Sequence, residues 1–336
     1  MLKTLSEVQI SDEVGQGIIR DVKLRQEALK LSEMAYKLGQ GHITVDELEK
    51  YYESNLKKVD HKVDLPLDEV STNLEEIVAN VHAETGIRWR LDCLNKSIGS
   101  LRHGDFGFIF ARPETGKTTF LASETTRFLE QGAKVVWFNN EEQGYKVMLR
   151  VYQAFFGIEL DKLLANPKRF RAEFQERTGN NLRLYDAATI HRRDVETIIS
   201  SVGPDVVIYD QLTKVQGFNA DRNDLELGAK FQWARELAKG NHASIGVSQA
   251  DGTAEGVRYL TMEHVANAKT AVQAEADFIL GIGKTNDVNM EYARFLSISK
   301  NKLLGDTDSI PDLRHGRFEV MIEPQIARYK DIIKFN

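Results

Sequence analysis

From residue 86 onward, short apolar runs alternate with longer segments in which apolar residues recur at helical spacing. Such alternation is typical of a parallel α/β sheet flanked by helices. The predicted strands lie around Phe108 and at Val135–Phe138, Leu182–Tyr185, Val206–Tyr209 and Ser244–Val247. The predicted helices lie before Gln131, at Gln143–Phe156, on both sides of Pro167, at Asp194–Ser201 and at Asp224–Lys239.

After another apolar run at Phe278–Ile282, the pattern changes to alternating residues at Ala293–Ser299 and Arg317–Ile322. Alternation with a period of two predicts strands with one covered face, which are commonly antiparallel. The predicted fold class is therefore α/β, with a mainly parallel central sheet, flanking helices and an antiparallel extension.

The first 65 residues carry a different pattern, with charged segments of helical period at Val14–Leu38 and Val45–Leu56. Thr44 and Glu47 have capping-box spacing before the second segment, and glycines 39 and 41 terminate the first. We predict a small helical region over residues 1–65, a linker with a short helix over residues 66–84, and the main domain over residues 85–336.

The short helix of the linker is predicted to begin at a second capping box, Thr72 with Glu75. Its apolar residues form one stripe, which consists of Leu74, Ile77, Val78 and Val81. Such a stripe packs either in the chain's own core or against a neighbouring subunit, and the spacing alone leaves both open.

The net charge of −6 and the pI near 5.8 exclude a protein that is basic overall, so any contact with nucleic acid must be local. A single cysteine, Cys93, excludes an internal disulfide and a cysteine-rich metal site, and we interpret it as a small buried hydrophobe. The chain shows no secretory-signal layout and no apolar run of about 18 residues. We expect a cytoplasmic protein without a membrane partner.

The segment of residues 106–120, FGFIFARPETGKTTF, has the layout of a phosphate-binding loop between a strand and a helix. In such a loop, backbone N–H groups and a helix N-terminus converge on an anion. Lys117 is expected to reach the β- and γ-phosphates of a nucleotide, and the Thr118 hydroxyl to ligate Mg²⁺. Ala111 replaces the first glycine of the pattern, which requires a negative φ at that residue.

Carboxylates follow two of the predicted strands. Asp210 comes directly after Val206–Tyr209 and is expected to lie beside the Mg²⁺. Glu141 and Glu142 follow the strand at Val135–Phe138, and one of them is the candidate general base that polarises the attacking water. Alternatively, both only add negative charge to a helix N-terminus, where it is favourable.

Gln249 ends a further strand and is able to donate a hydrogen bond to a γ-phosphate oxygen, so it is a candidate sensor of that phosphate. A loop at Ala250–Thr270 follows, and loops of this length are usually functional or mobile. Lys300 and Lys302 come after an alternating strand, where lysines also commonly protect a sheet edge.

Taken in order, these stretches resemble the catalytic domain of DnaB-like replicative DNA helicases, which are ring-forming RecA-like ATPases. The resemblance runs from about Thr85 to Arg317. The phosphate loop supports the resemblance, because it contains Arg112 and Pro113, a pair that is characteristic of this family. The other matching stretches are Thr85–Ile87, Leu91–Asn95, Leu101–Asp105, Phe138–Glu141, Tyr209–Leu212, Val247–Gln249, Glu275–Asp277 and Lys300–Lys302.

The resemblance implies a RecA-like P-loop ATPase core that binds ATP and Mg²⁺. It matches Glu141, rather than Glu142, to the catalytic glutamate, and it gives Asp210 and Gln249 the metal and sensor roles. The nucleotide would be held by Arg112, Pro113, Glu114, Thr115, Gly116, Lys117, Thr118 and Thr119.

In this family six subunits form a ring, and a Lys-x-Arg pair reaches the ATP of the neighbouring subunit. Lys300 and Lys302 stand at these positions. Lysine keeps the positive charge of the missing arginine but cannot copy its planar fork. The resemblance therefore implies a homo-hexamer with shared ATP sites.

The resemblance also implies that two loops line a central channel and hold the phosphates of one DNA strand. The residues that fall on these loops are Asn267, Lys269, Thr270, Lys214 and Arg222. Asn267 replaces an arginine of the family, which leaves Lys269 as the expected phosphate contact. The short helix of the linker would dock on the adjacent subunit.

The favoured function is a compact, phage-type, ATP-dependent replicative helicase without a primase domain, whose partners are single-stranded DNA and a primase or helicase loader. One alternative is a RecA-like recombinase or loader that forms filaments on DNA. The other is a regulatory ATPase scaffold, in which the departures at Ala111 and Lys302 signal weak hydrolysis.

Overall fold

The computed structural model describes residues 12–52, 72–75, 86–218, 222–240, 242–266, 273–303 and 313–332. The chain divides into two compact units, Met1–Asn80 and Val81–Asn336. Among the described helices, none combines the length and the apolar character needed to cross a membrane.

In the first unit, α1 (Asp12–Gly39) and α2 (Val45–Tyr51) form the helical pair that the sequence predicts. The capping box is confirmed, because the Thr44 hydroxyl accepts from the Glu47 N–H and the Glu47 carboxylate accepts from the Thr44 N–H at 2.8 Å. The Tyr51 hydroxyl donates to Glu27, which joins the two helices.

The linker is described only at residues 72–75. Asn73, rather than the predicted Thr72, caps the short helix, since its side-chain oxygen accepts from the Glu75 N–H at 3.0 Å and the helix begins at Leu74. An asparagine is at least as good an N-cap as a threonine, so the cap lies one residue later. The rest of the predicted stripe lies outside the described residues.

The second unit is built on one large sheet. Its strands are β1 (Phe106–Ala111), β2 (Val135–Asn139), β3 (Leu182–Asp186), β5 (Val206–Asp210), β7 (Ala243–Gln249), β8 (Phe278–Gly283), β9 (Ala293–Asn301), β10 (Arg317–Glu323) and β11 (Arg328–Asp331). In the described part of the chain their order is β11-β10-β9-β8-β1-β7-β5-β2-β3. The strands from β8 to β3 are parallel, and β9 to β11 are antiparallel. The predicted mainly parallel sheet with an antiparallel extension is therefore confirmed.

Helices cover both faces of this sheet. They are α3 (Asp92–Ser97), α4 (Lys117–Glu130), α5 (Gly144–Phe156), α6 (Leu160–Ala165), α7 (Pro167–Thr178), α8 (Arg192–Val202) and α9 (Asn223–Ala238). Because successive side chains of a strand point to opposite faces, Ile109 of β1 packs with α4 and α5, whereas Phe108 packs with α9. Burial on both faces explains why β1 is apolar throughout.

Of the helices and strands named here, four short ones are absent from the sequence-based prediction, and the first of them is α3. β4 (Ile190–His191) and β6 (Val215–Gln216) form a separate parallel pair of two residues each, which is too short to carry a period. β11 is four residues long and follows a turn in which Ala327 has a φ of 52°.

Burial changes the chemistry of two groups near the start of the second unit. Cys93 is fully buried, which confirms its interpretation as a small hydrophobe, and burial raises the pKa of its thiol. Glu124 of α4 is 1% exposed, and burial raises the pKa of its carboxyl to about 7 although its Oε2 accepts from the Arg90 N–H at 2.6 Å. Its Oε1 has no hydrogen-bond partner among the described residues.

The raised pKa of Glu124 predicts that stability falls as pH rises. The protonated carboxyl is favoured in the folded state, so its contribution is present below the ordinary pKa of 4.5 and is lost as pH rises through about 7. The side chain of Glu124→Gln stays neutral at every pH. From pH 5 to pH 8, the free energy of unfolding of this variant should therefore rise relative to that of the wild type by on the order of 2–3 kcal/mol.

Thermal unfolding at both pH values measures this difference. The control is Glu176→Gln, which makes the same exchange at an exposed position of α7. Identical pH dependence in the wild type and Glu124→Gln would show that Glu124 does not titrate in this range.

Candidate functional site

The phosphate loop of the second unit joins the end of β1 to the start of α4. Ala111 is the last residue of β1 and pairs with Gln249 of β7, so it has strand conformation and fits where the pattern has glycine. Gly116 precedes α4 with a φ of 106°, in the left-handed region that favours glycine. Lys117 is the first residue of the helix and is 6% exposed.

The antiparallel strands β9 to β11 contact the backbone of this loop. Arg294 of β9 donates from Nε to the Thr115 carbonyl at 2.6 Å, and the Tyr329 hydroxyl of β11 donates to the Gly116 carbonyl at 3.3 Å. A Cβ on Gly116 would lie 2.7 Å from Ile322 of β10, so the strands leave no space for a side chain. The sequence pattern missed these contacts, because an arginine and a tyrosine on alternating strands carry no signal of their own.

Asp210 is a buried carboxylate at the end of β5. It is 1% exposed, and neither of its oxygens accepts a hydrogen bond from any residue that the structure describes. Burial and the nearby Glu141 raise its pKa to about 7, against the opposing effect of Lys117. An unpaired carboxylate beside a phosphate loop is suited to a divalent cation, since Mg²⁺ takes few protein ligands and completes its shell with phosphates and water.

Lys117 interacts electrostatically with both Glu141 and Asp210. Burial lowers the pKa of its ammonium group, and Glu141 and Asp210 oppose that shift. Thr118 and Thr119 follow in the first turn of α4, and Thr119 is partly buried. The phosphate-binding and metal-binding candidates therefore lie together at one end of the sheet.

Glu141 and Glu142 have different surroundings. The two oxygens of Glu141 accept hydrogen bonds from amides, Oε2 from Gln211 at 2.8 Å and Oε1 from Gln249 at 3.2 Å. Glu142 instead forms a two-pronged ion pair with Arg150 of α5, with 3.0 Å between Nη2 and Oε1. Only Glu141 is held between the ends of β5 and β7.

Arg112, Pro113 and Glu114 form the first part of the phosphate loop. Pro113 and Glu114 are exposed, and Glu114 has a φ of 59°. Arg112 reaches the loop after β7, where it donates to Glu255 at 3.1 Å and to the Ala250 carbonyl at 3.3 Å. That loop folds back on itself through a bridge between Ala250 and Val265, and it is described up to residue 266.

The two lysines near the C-terminus lie away from their own phosphate loop. Lys300 is opposite Ile279 at the start of β8, whereas Ala111 is opposite Ile282 near the end of that strand. The Lys300 ammonium donates to the Gln273 carbonyl, and burial lowers its pKa. The side chain of Lys302 is 51% exposed and lies 4.0 Å from the Asp277 carboxylate.

The predicted DNA-contacting residues are only partly described. Asn267, Lys269 and Thr270 lie outside the described residues. Lys214 donates to the Asn140 carbonyl at 2.7 Å, which places its ammonium group beside the nucleotide-binding end of the sheet. Arg222 is exposed and paired with Asp224 at 2.6 Å. It lines a cleft of about 940 Å³ together with Asn223, Lys230, Gln211, Gln249 and Ala266.

Comparison with known proteins places this geometry in context. The AAA_25 family, described as an AAA domain, matches residues 72–250, which is more than half of the chain. One solved structure, titled as an ATPase domain, is 14% identical, with a TM-score of 0.64 over 78% of this chain and 100% of that chain. A second, titled "The Structure Of A DnaB-Like Replicative Helicase And Its Interactions With Primase", is 14% identical, with a TM-score of 0.67 over 98% of this chain and 81% of that chain. The predicted RecA-like fold is thus confirmed.

The contact between Arg294 and the phosphate loop generates a prediction. Arg294→Met keeps an extended side chain but leaves the Thr115 carbonyl without its charged donor, an interaction typically worth about 1.5–3 kcal/mol. We expect the loop to loosen and the affinity for ATP to fall by roughly tenfold or more. Titration with a fluorescent ATP analogue measures the change.

Arg317→Met is the matched control, because Arg317 is exposed on β10 and stacks on Tyr259 instead of contacting the loop. Equal affinities of the Arg294→Met variant and this control would show that the loop keeps its shape without the arginine.

Proposed function

This chain belongs to the AAA_25 family of AAA domains, and from that membership we propose that it is an ATP-dependent, ring-forming DNA helicase of the DnaB-like replicative type. The observation that carries the proposal is the position of Glu141. Its carboxylate accepts hydrogen bonds from Gln211, the residue after Asp210, and from Gln249, and it interacts electrostatically with both Asp210 and Lys117. ATP hydrolysis needs a base, a metal-side carboxylate and a phosphate cradle, and all three candidates meet there.

The residues of this site divide the work of hydrolysis. The backbone of residues 112–119 cradles the phosphates, and Lys117 adds a positive charge. Thr118 and Asp210 are the residues that would hold Mg²⁺, which neutralises charge on the β- and γ-phosphates when bound. Glu141 orients the attacking water and accepts its proton. Burial of Lys117 and Asp210 strengthens the electrostatic interactions of these two groups.

Gln249 could couple the state of the nucleotide to the loop that binds DNA. It ends β7 and directly precedes the loop that Arg112 contacts at Glu255 and Ala250. Loss of the γ-phosphate removes an acceptor from the Gln249 amide, which changes the balance of contacts at the root of this loop. We propose that the loop, through Asn267, Lys269 and Thr270, holds the phosphates of single-stranded DNA, with Arg222 and Lys214 near the same edge.

A hexameric ring accounts for the position of Lys300 and Lys302. Both lie at the opposite end of the sheet from their own phosphate loop, so they are suited to act on a neighbour's ATP. We also propose a primase or a helicase loader as a partner. One similar structure is titled with primase interactions, which supports this choice.

Unwinding of a forked DNA duplex, measured beside ATP turnover with and without single-stranded DNA, tests the proposal. The helicase requires both unwinding and DNA-stimulated turnover, and Lys117→Ala should abolish both. DNA-stimulated turnover without unwinding would point to a recombinase or loader. Absence of both activities in the wild type would point to a regulatory scaffold.

Because Glu141 and Glu142 have different surroundings, we expect their substitution by glutamine to affect ATP turnover differently. Glu141→Gln should bind ATP normally but lower kcat by about 10²–10⁴-fold, because it removes the proton acceptor. Glu142→Gln loses only a partly exposed ion pair with Arg150 and should keep kcat within about threefold of the wild type. Single-turnover ATPase assays measure both variants, and the reverse ranking would make Glu142 the base.

A shared ATP site predicts complementation between defective subunits. Lys302→Ala subunits keep Glu141, and Glu141→Gln subunits keep Lys302, so a mixed ring contains some complete sites. ATP turnover of the mixture should exceed the sum of the two separate proteins, and the excess should be largest near equal amounts. If turnover stays additive at every ratio, Lys302 does not act across a subunit interface.

A further inference from the structure

The two amides that bind Glu141 differ in how firmly they are held. Gln211 is 5% exposed, and its bond to Oε2 of Glu141 is 2.8 Å long. Gln249 is more exposed, and its bond to Oε1 is longer, at 3.2 Å. The shorter and more buried bond is the stronger of the two, because water competes less for its partners.

Gln211 belongs to a turn that is held by several hydrogen bonds. It follows Asp210 directly, and its own side-chain oxygen is 3.5 Å from the Thr213 hydroxyl, which donates to it. The carbonyl of Thr213 accepts from the buried Lys230 of α9 at 2.8 Å, and Lys214 donates to the Asn140 carbonyl. The bonds of Lys230 and Lys214 fix the backbone that follows the amide.

Gln249 stands in a different position. It is the last residue of β7, next to the loop at Ala250–Ala266, and among the described residues its amide has no such support from a neighbouring turn. When a γ-phosphate occupies the loop, the Gln249 amide can exchange Glu141 for a phosphate oxygen. Glu141 would then lose one of its two partners and depend on the other.

We infer that Gln211 is a positioning residue for ATP hydrolysis, because it fixes Oε2 of Glu141 and leaves Oε1 for the attacking water. This inference rests on the function proposed above. The glutamate side chain has three rotatable bonds, and one fixed oxygen confines the other to a small volume near the phosphate loop. Gln249 can therefore move to the nucleotide without releasing the base.

This role separates Gln211 from the residues that bind nucleotide. Its amide contacts Glu141 and Thr213, so its loss should change how often the base is in position and leave the phosphate cradle intact. The expected signature is a lower kcat with an unchanged affinity for ATP. A misplacement of about 1 Å in a reacting group is enough for a loss of roughly 10²-fold.

The test compares Gln211→Met with Gln153→Met. Methionine matches the length of glutamine but cannot donate a hydrogen bond. Gln153 of α5 is a suitable control, because it is similarly buried and also donates one 2.8 Å bond, to the Gln325 carbonyl, away from the site. We expect kcat of Gln211→Met to fall by about 10- to 100-fold. ATP binding and the melting temperature should match those of Gln153→Met.

A second variant, Gln211→Asn, keeps the amide on a side chain one methylene shorter. We expect its kcat to lie between those of the wild type and Gln211→Met, and it decides the question if the methionine variant does not fold. Wild-type kcat in the variants that fold would overturn the inference. So would a loss of kcat that is matched by a loss of ATP affinity, since that pattern belongs to a structural role.

Glu141→Gln, measured beside these variants, separates this inference from the proposed function. Turnover that depends on Glu141 but not on Gln211 would contradict only the positioning role. Turnover that is absent in the wild type, or unaffected by Glu141→Gln, would contradict the proposed function itself.

Discussion

The fixed shape of the phosphate loop is the constraint on which the rest of the second unit depends. Backbone N–H groups bind an anion well only when they already point to one place. Here the backbone of Thr115 and Gly116 is held through its carbonyl groups by Arg294 and Tyr329. The antiparallel strands β9 to β11 therefore do more than extend the sheet, because their side chains fix the backbone of the loop.

Strand register brings the other site residues to the same loop. Ala111 pairs with Gln249, Asn139 pairs with Asp210, and Asp210 pairs with Val247. β2 and β5 thus end together, two residues short of β1 and β7, and the residues that follow these strands meet at the crevice beyond their carboxyl ends. Glu141 reaches this crevice although it follows β2 by two residues, because Gln211 and Gln249 hold its carboxylate from the neighbouring strand ends.

Much of this arrangement was predictable from the sequence, and the remainder depends on contacts between distant segments. Buried parallel strands appear as continuous apolar runs, so their number and the residues at their ends follow from the pattern. The support of Thr115 by Arg294 joins residues 179 positions apart, and no local period records it. The cap at Asn73 shows a smaller limit, since two adjacent residues both have good capping side chains and the backbone uses the second.

Asp210 and Lys117 carry opposite charges in one site and lie on separate elements of the fold. Asp210 is buried with no donor to its oxygens among the described residues, which raises its pKa, and burial also lowers the pKa of Lys117. A direct ion pair between these two groups would satisfy both, but it would also close the space that a phosphate and a cation need. The fold instead holds each charge on a separate rigid element, Asp210 on β5 and Lys117 at the start of α4. A nucleotide bound with its metal would supply partners for both groups, so ligand binding would stabilise this end of the sheet.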